Sequence, residues 1–210
     1  MLSEVKQRIK AACQRAGRDP DDVKLVAVSK NHKIDEIQEK IIDQGHIILG
    51  ENRIQEWRSK LELENIEWHL IGSLQRNKVK YCLPFHTIHS LNSQRLADEL
   101  NKFGKKKNHI FRVLIEVNTS NEPSKQGIAV DKLEELHDYC QDLDNLELDG
   151  LMTMAPYGTN PEEARAYFVK LRELRDRLGL GNLSMGMSGD FEVAIEEGAT
   201  IIRVGSAVFR

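Results

Sequence analysis

Residues 24–30 read Lys24-Leu25-Val26-Ala27-Val28-Ser29-Lys30. From Leu25 to Val28 every position is apolar, as in a strand covered on both faces. Strands of that kind belong to parallel sheets, whose crossover helices shield the two faces. Lys30 then stands just past the carboxyl end of the strand, where parallel α/β folds build their sites.

Comparable runs predict further strands over 46–50, 67–72, 87–90, 111–118, 146–152, 183–187 and 200–205, eight with the first at 24–29. Helical patterns fall between them. In 131–143, Leu133, Leu136, His137 and Cys140 recur at helical spacing. The segment 161–178 opens on Pro161, suited to a first helical position, and is followed by Gly179. Asn92 is a fitting N-cap for 92–103, which carries Leu96 and Leu100 four apart. A helix over 3–16 precedes the first strand and one over 191–197 the last. Eight alternations of strand and helix favour a closed (β/α)8 TIM barrel, a single α/β domain spanning 1–210 with an extra N-terminal helix. Only Ser206 to Arg210 follow the last strand, so no full eighth helix is expected and the N-terminal helix is expected to cover the gap.

The 210 residues are 40% hydrophobic and 30% charged, proportions that exclude a disordered or fibrous chain. No apolar run approaches the roughly 20 residues of a membrane span, and the first residues lack the apolar core of a signal peptide. Cys13, Cys82 and Cys140 are too scattered for a disulfide framework or zinc site, which points to a reducing, cytoplasmic setting. A net charge of -3 gives no footprint for nucleic acid. The basic run Lys102-Phe103-Gly104-Lys105-Lys106-Lys107 reads as a solvated loop. His86 and His89 would point to opposite faces of a strand and no carboxylate completes a set, so no metal site is expected. Cys82 and Cys140 read as core residues on apolar helix faces, and His69 reads as a core histidine or one facing the barrel interior.

Two features stand out among the strand ends. Lys30 would lie in the barrel mouth, where partial desolvation makes a neutral amine available to attack a carbonyl. A solvated loop lysine is the other reading. The second feature is the pair of loops at Ser188-Gly189 and Gly205-Ser206. Loops after strands seven and eight of such barrels often hold phosphate, and these offer hydroxyls and backbone N–H groups. An ordinary capped helix, with Asp190 turning its carboxylate to its own N-terminus, is the alternative. A lysine and a phosphate cup together suggest pyridoxal 5'-phosphate.

Motifs along nearly the whole chain carry a resemblance. They include Ala27-Val28-Ser29-Lys30, Gly50-Glu51-Asn52-Arg53, Trp68-His69-Leu70-Ile71-Gly72-Ser73, Val117-Asn118-Thr119-Ser120, Gly150-Leu151-Met152-Thr153-Met154, Leu183-Ser184-Met185-Gly186-Met187-Ser188 and Arg203-Val204-Gly205-Ser206. With them the chain resembles the YggS/PROSC family, the pyridoxal phosphate homeostasis proteins. The resemblance implies a barrel similar to the barrel domain of alanine racemase, with the cofactor held as a Schiff base on Lys30. It also implies that Ser188, Gly205 and Ser206 hold the phosphate, that Asn52 and Met185 lie near the cofactor, and that Arg203 faces the pyridine nitrogen. An arginine supplies no counter-carboxylate, so the ring would be a weak electron sink.

The implied role is to bind and deliver pyridoxal phosphate, with apo enzymes that need it as recipients, as a monomer and without catalysis of its own. The alternative is a racemase-like enzyme with Lys30 as base. Racemases of this barrel type take a tyrosine base from a second domain, which is not expected here, and nothing in the sequence motivates Tyr157 as a barrel-mouth substitute for it. Ser73, Arg76 and the ending at Phe209-Arg210 depart from the family pattern. Lys125 matches a second family lysine and reads as a surface residue.

Overall fold

The protein is described by a computed structural model that covers residues 1–120, 122, 126–156 and 158–210. Strand β1 (Lys24–Val28) pairs in parallel on one side with β2 (Ile48–Glu51) and on the other with β8 (Ile201–Val204). Between them run β3 (Glu67–Leu70), β4 (Phe85–Leu91), β5 (Phe111–Asn118), β6 (Leu146–Met152) and β7 (Asn182–Ser184). Each pairs in parallel with the next, and the ring closes as an eight-stranded barrel. A two-residue strand, Ile128–Ala129, adds to the end of β5 and was not foreseen.

Three sequence expectations need correction. The seventh strand ends at Ser184 rather than 187, because Gly186 turns the chain at φ 91°. A Cβ there would stand 2.6 Å from that of Ala194, so glycine is required. The basic run is the last turn and a half of a helix, Gln94–Lys107, and not a loop. Its lysines suit the negative end of the helix dipole, and Asn108 closes it in the left-handed region at φ 51°. The third correction concerns β4. Its pairing shifts register against both neighbours, and the bulge brings the rings of His86 and His89 each to about 5 Å from His69.

Helices cover the outside. Helix α1 (Leu2–Arg15) buries Leu2, Val5, Ile9, Ala12 and Cys13, a stripe at helical spacing. It packs on the helix Phe191–Glu196, to which Arg8 and Arg15 reach through Glu192 and Glu196. The chain ends in a short helix, Ser206–Phe209, whose Phe209 ring stacks at 3.7 Å on His32. Helix α1, expected to cover the gap left by a full eighth helix, packs on this short helix. Pro161–Leu178 has the anticipated ends: Asn160 and Glu163 cap each other, and Gly179 is left-handed at φ 67°.

Inside the ring, Val26, Ile71, Leu114, Met152 and Ile201 form an apolar cluster. Side chains two residues along a strand share a face, so His69, Glu116 and Arg203 also point inward, all of them buried. Barrel interiors are usually filled by branched aliphatics. This one mixes them with buried polar side chains, of which Arg203 lines the space at the carboxyl ends of the strands.

Candidate functional site

A cleft of about 730 Å³ opens over those strand ends, and Lys30, Asn52, Ser188, Arg203, Gly205 and Ser206 all line it. Met185, the seventh expected residue, does not. Its side chain is fully buried in the layer between barrel and helices, and Met187 lines the cleft in its place. The odd and even positions of the strand take opposite faces, and the turn at Gly186 resets them.

Lys30 is exposed, not shielded by the barrel walls as its position suggested. Its backbone is held from below. Lys60 donates to the Ser29 carbonyl at 2.7 Å and pairs with the Glu51 carboxylate, while Ser29 Oγ donates to Glu51 at 2.6 Å. Both Lys60 and Glu51 are buried, and burial pushes the Glu51 carboxyl up while Lys60 and Ser29 pull it back. Asn31 then turns sharply at φ 66°, its N–H donating to Glu56.

Asn52 is placed by a close backbone approach, since a Cβ on Gly72 would overlap the Asn52 carbonyl oxygen. Arg53 and Ser73 join the cleft beside it. Ser73 donates to Gln126, another lining residue, so this departure from the family pattern lies at the site itself. Across the mouth, Ser188 Oγ accepts the Ala207 N–H at 3.4 Å, tying the two anticipated loops together. Asp190 caps differently from the expectation: its carboxylate accepts the Met187 N–H at 2.6 Å, not a group of its own helix.

Arg203 closes the floor. It donates through Nη1 to Ser184 Oγ at 2.6 Å and through Nη2 to the Thr153 carbonyl at 3.0 Å. Burial lowers it to about 10, still charged at neutral pH. Glu116 is a residue that the sequence did not single out: buried, with Oε2 unpartnered, and pushed up to about 7 by that burial. The cleft lining thus carries three cations, Lys30, Arg53 and Arg203, and no carboxylate among the described residues. Lys125 and Tyr157 lie outside those residues.

At the opposite mouth, Glu67, His69 and His86 bring ligand atoms within 4.8 Å of one another, a grouping that spacing along one strand did not reveal. Two cations already occupy it. Lys24 pairs with Glu67 Oε1 at 2.7 Å, and Arg112 donates to His86 Nε2 at 3.0 Å.

The donor set fits pyridoxal phosphate: an amine for its aldehyde, hydroxyls and a glycine turn for its dianion, and a buried cation beyond. Comparison with known proteins agrees. The family model of the alanine racemase N-terminal domain matches residues 1–210. A pyridoxal phosphate homeostasis protein of Aquifex aeolicus is 49% identical, the match covering 99% of this chain and 95% of the relative. PipY of Synechococcus elongatus, solved with PLP bound, is 33% identical at a TM-score of 0.81, covering 98% of this chain and 100% of that one. An alanine racemase of Clostridium difficile, 12% identical at a TM-score of 0.70, covers 97% of this chain and 56% of its own, and shares the fold alone.

Proposed function

The chain belongs to the alanine racemase N-terminal domain family, and from that premise we propose that it is a pyridoxal 5'-phosphate-binding protein of vitamin B6 homeostasis. The observation that carries the reading is the cationic cleft, with a reachable lysine at one side and the tied Ser188 and Ser206 loops at the other. The cofactor's aldehyde supplies an electrophile that the Lys30 amine can join through a C=N bond, with release of one water. Ser188, Gly205 and Ser206 hold the phosphate oxygens. Asn52 flanks the ring, and Arg203 approaches the ring-nitrogen side.

The role is to hold and hand over a reactive aldehyde, not to turn over substrate. An arginine cannot offer the pyridine nitrogen the carboxylate that would keep it protonated, so electron withdrawal by the ring stays weak. Delivery to apo enzymes, a monomeric state and a cytoplasmic setting belong to the same proposal; among the described residues no helix is long and apolar enough to cross a membrane. Titration of the purified protein with pyridoxal phosphate, followed by assay of the loaded protein with L- and D-alanine, tests it. A visible band that saturates at one equivalent, with no racemisation above free cofactor, is expected. Racemisation abolished by Lys30→Ala would favour the enzyme reading.

A further inference from the structure

His69 and His89 are buried in the barrel interior, below the cleft and away from its lining. They lie on a line of hydrogen bonds that starts at Arg203 and ends at the opposite mouth. Arg203 Nη1 is 2.6 Å from Ser184 Oγ, which is 2.9 Å from His89 Nδ1. His89 Nε2 is 2.8 Å from His69 Nδ1, and His69 Nε2 is 2.9 Å from Glu67 Oε1.

The Glu67 end fixes the protons along the line. Arg203 can only donate, so Ser184 Oγ accepts from it and turns its own hydrogen elsewhere. At the far end His69 and Lys24 hold the Glu67 carboxyl at about 2, so Glu67 is ionised and only accepts. His69 Nε2 therefore carries hydrogen. Burial pushes both imidazoles down, His89 most strongly, so each is neutral and has one donor and one acceptor. His69 Nδ1 must then accept from His89 Nε2–H, and His89 Nδ1 must accept from the Ser184 hydroxyl. The direction is set from the Glu67 end, and the Arg203–Ser184 bond is compatible with it, since a hydroxyl that accepts from Arg203 keeps its own hydrogen for His89. No member can reverse its proton unless its neighbour reverses too.

Resting on the reading that Arg203 faces the ring of bound pyridoxal phosphate, we propose that Ser184, His89 and His69 form a one-directional relay that positions Arg203 from the far mouth of the barrel. His89 and His69 are then positioning residues for the cofactor's ring, and Glu67 is their anchor on the opposite face. Lys24 and His86 bear on that anchor, and the Glu116 and Asp190 carboxylates bear on Arg203.

The test reads imidazole ¹⁵N signals in the cofactor-free protein, then the absorption band and retention of added pyridoxal phosphate. In the unaltered protein both histidines should show the Nε2–H tautomer. Glu67→Leu, a half-buried change at the far mouth, should move the His89 ring signals and the cofactor band while the borohydride-reducible adduct persists. His89→Leu should weaken retention by about threefold to tenfold, the worth of one hydrogen bond. His89→Gln, with its own donor and acceptor, should restore most of it. An Nδ1–H tautomer at His89, or His89 signals indifferent to Glu67→Leu, would overturn the proposal. Should His89→Leu not fold, Glu67→Leu decides alone. Should the unaltered protein fail to take up pyridoxal phosphate, the functional reading falls, while the tautomers still decide the relay.

Discussion

Glu116 shares the barrel interior with Arg203, yet its Oε2 meets no partner and its carboxyl is pushed up to about 7 by burial, the guanidinium drawing it only partly back. Its folded value lies above the unfolded one, so its contribution is fully present below about 4.5 and is lost as pH rises to about 7. Glu116→Gln should therefore gain on the unaltered protein as pH rises through that window, by up to about 2 to 3 kcal/mol, with the gap constant above it. Urea unfolding at a series of pH values measures this, and a gap that does not change with pH would refute it. At the cleft, Ser188→Ala and Ser206→Ala should each weaken cofactor retention by about 1.5 to 3 kcal/mol if they donate to a charged phosphate. Equilibrium dialysis of the double variant measures the effect; unchanged affinity removes both from the site. Lys30 and the two serine loops were legible because they follow strand ends in the chain. Glu116, the Lys60–Glu51 pair and the histidine line were not: Glu116 and the histidines face the barrel interior from different strands, and Lys60 folds back from the turn after a helix, placements that spacing along one strand does not reveal.

Elements are positioned here by backbone proximity as much as by side chains. The turn after β3 passes so near the end of β2 that Gly72 has no room for a Cβ beside Asn52. Gly72→Ala should lower stability by about 2 kcal/mol or more through forced separation of the loops, and lower cofactor affinity with it. A thermal melt indistinguishable from that of the unaltered protein would contradict the packing described. Helix α1 offers a contrast of magnitudes. Its Arg8–Glu192 pair is about one-third exposed on each side, so Arg8→Ala should cost at most about 1 kcal/mol. Ile9, only 6% exposed, should cost about 2 to 4 kcal/mol as alanine. Denaturant midpoints of the two variants give the comparison, and equal losses would mean that α1 is held by charge. Strand identity was readable from apolar runs, and the ends of Pro161–Leu178 from its caps. The basic run lies in the last turns of a helix, and a run of lysines alone does not separate a loop from a solvated helix end. Gly104 within it is a tight packing point: a Cβ there would stand 2.6 Å from the His109 carbonyl oxygen.

At the scale of the molecule, the closed parallel barrel gathers residues from both ends of the chain into one mouth, Lys30 from β1 and Arg203 to Ser206 from β8. That closure was foreseeable from eight alternations, because β1 and β8 must pair for the ring to shut. The polar residues of the interior were not, since an inward histidine and a surface histidine look alike in a strand pattern. The central claim is that Lys30 carries the cofactor. The deciding measurement is the absorption spectrum of the protein and of Lys30→Ala after addition of pyridoxal phosphate, followed by borohydride reduction and peptide mass analysis. The account predicts a visible band with the reduced adduct on the peptide holding Lys30, and loss of both in Lys30→Ala, which stays folded because Lys30 is exposed. A reducible adduct that persists in Lys30→Ala, or no band in the unaltered protein, would contradict it.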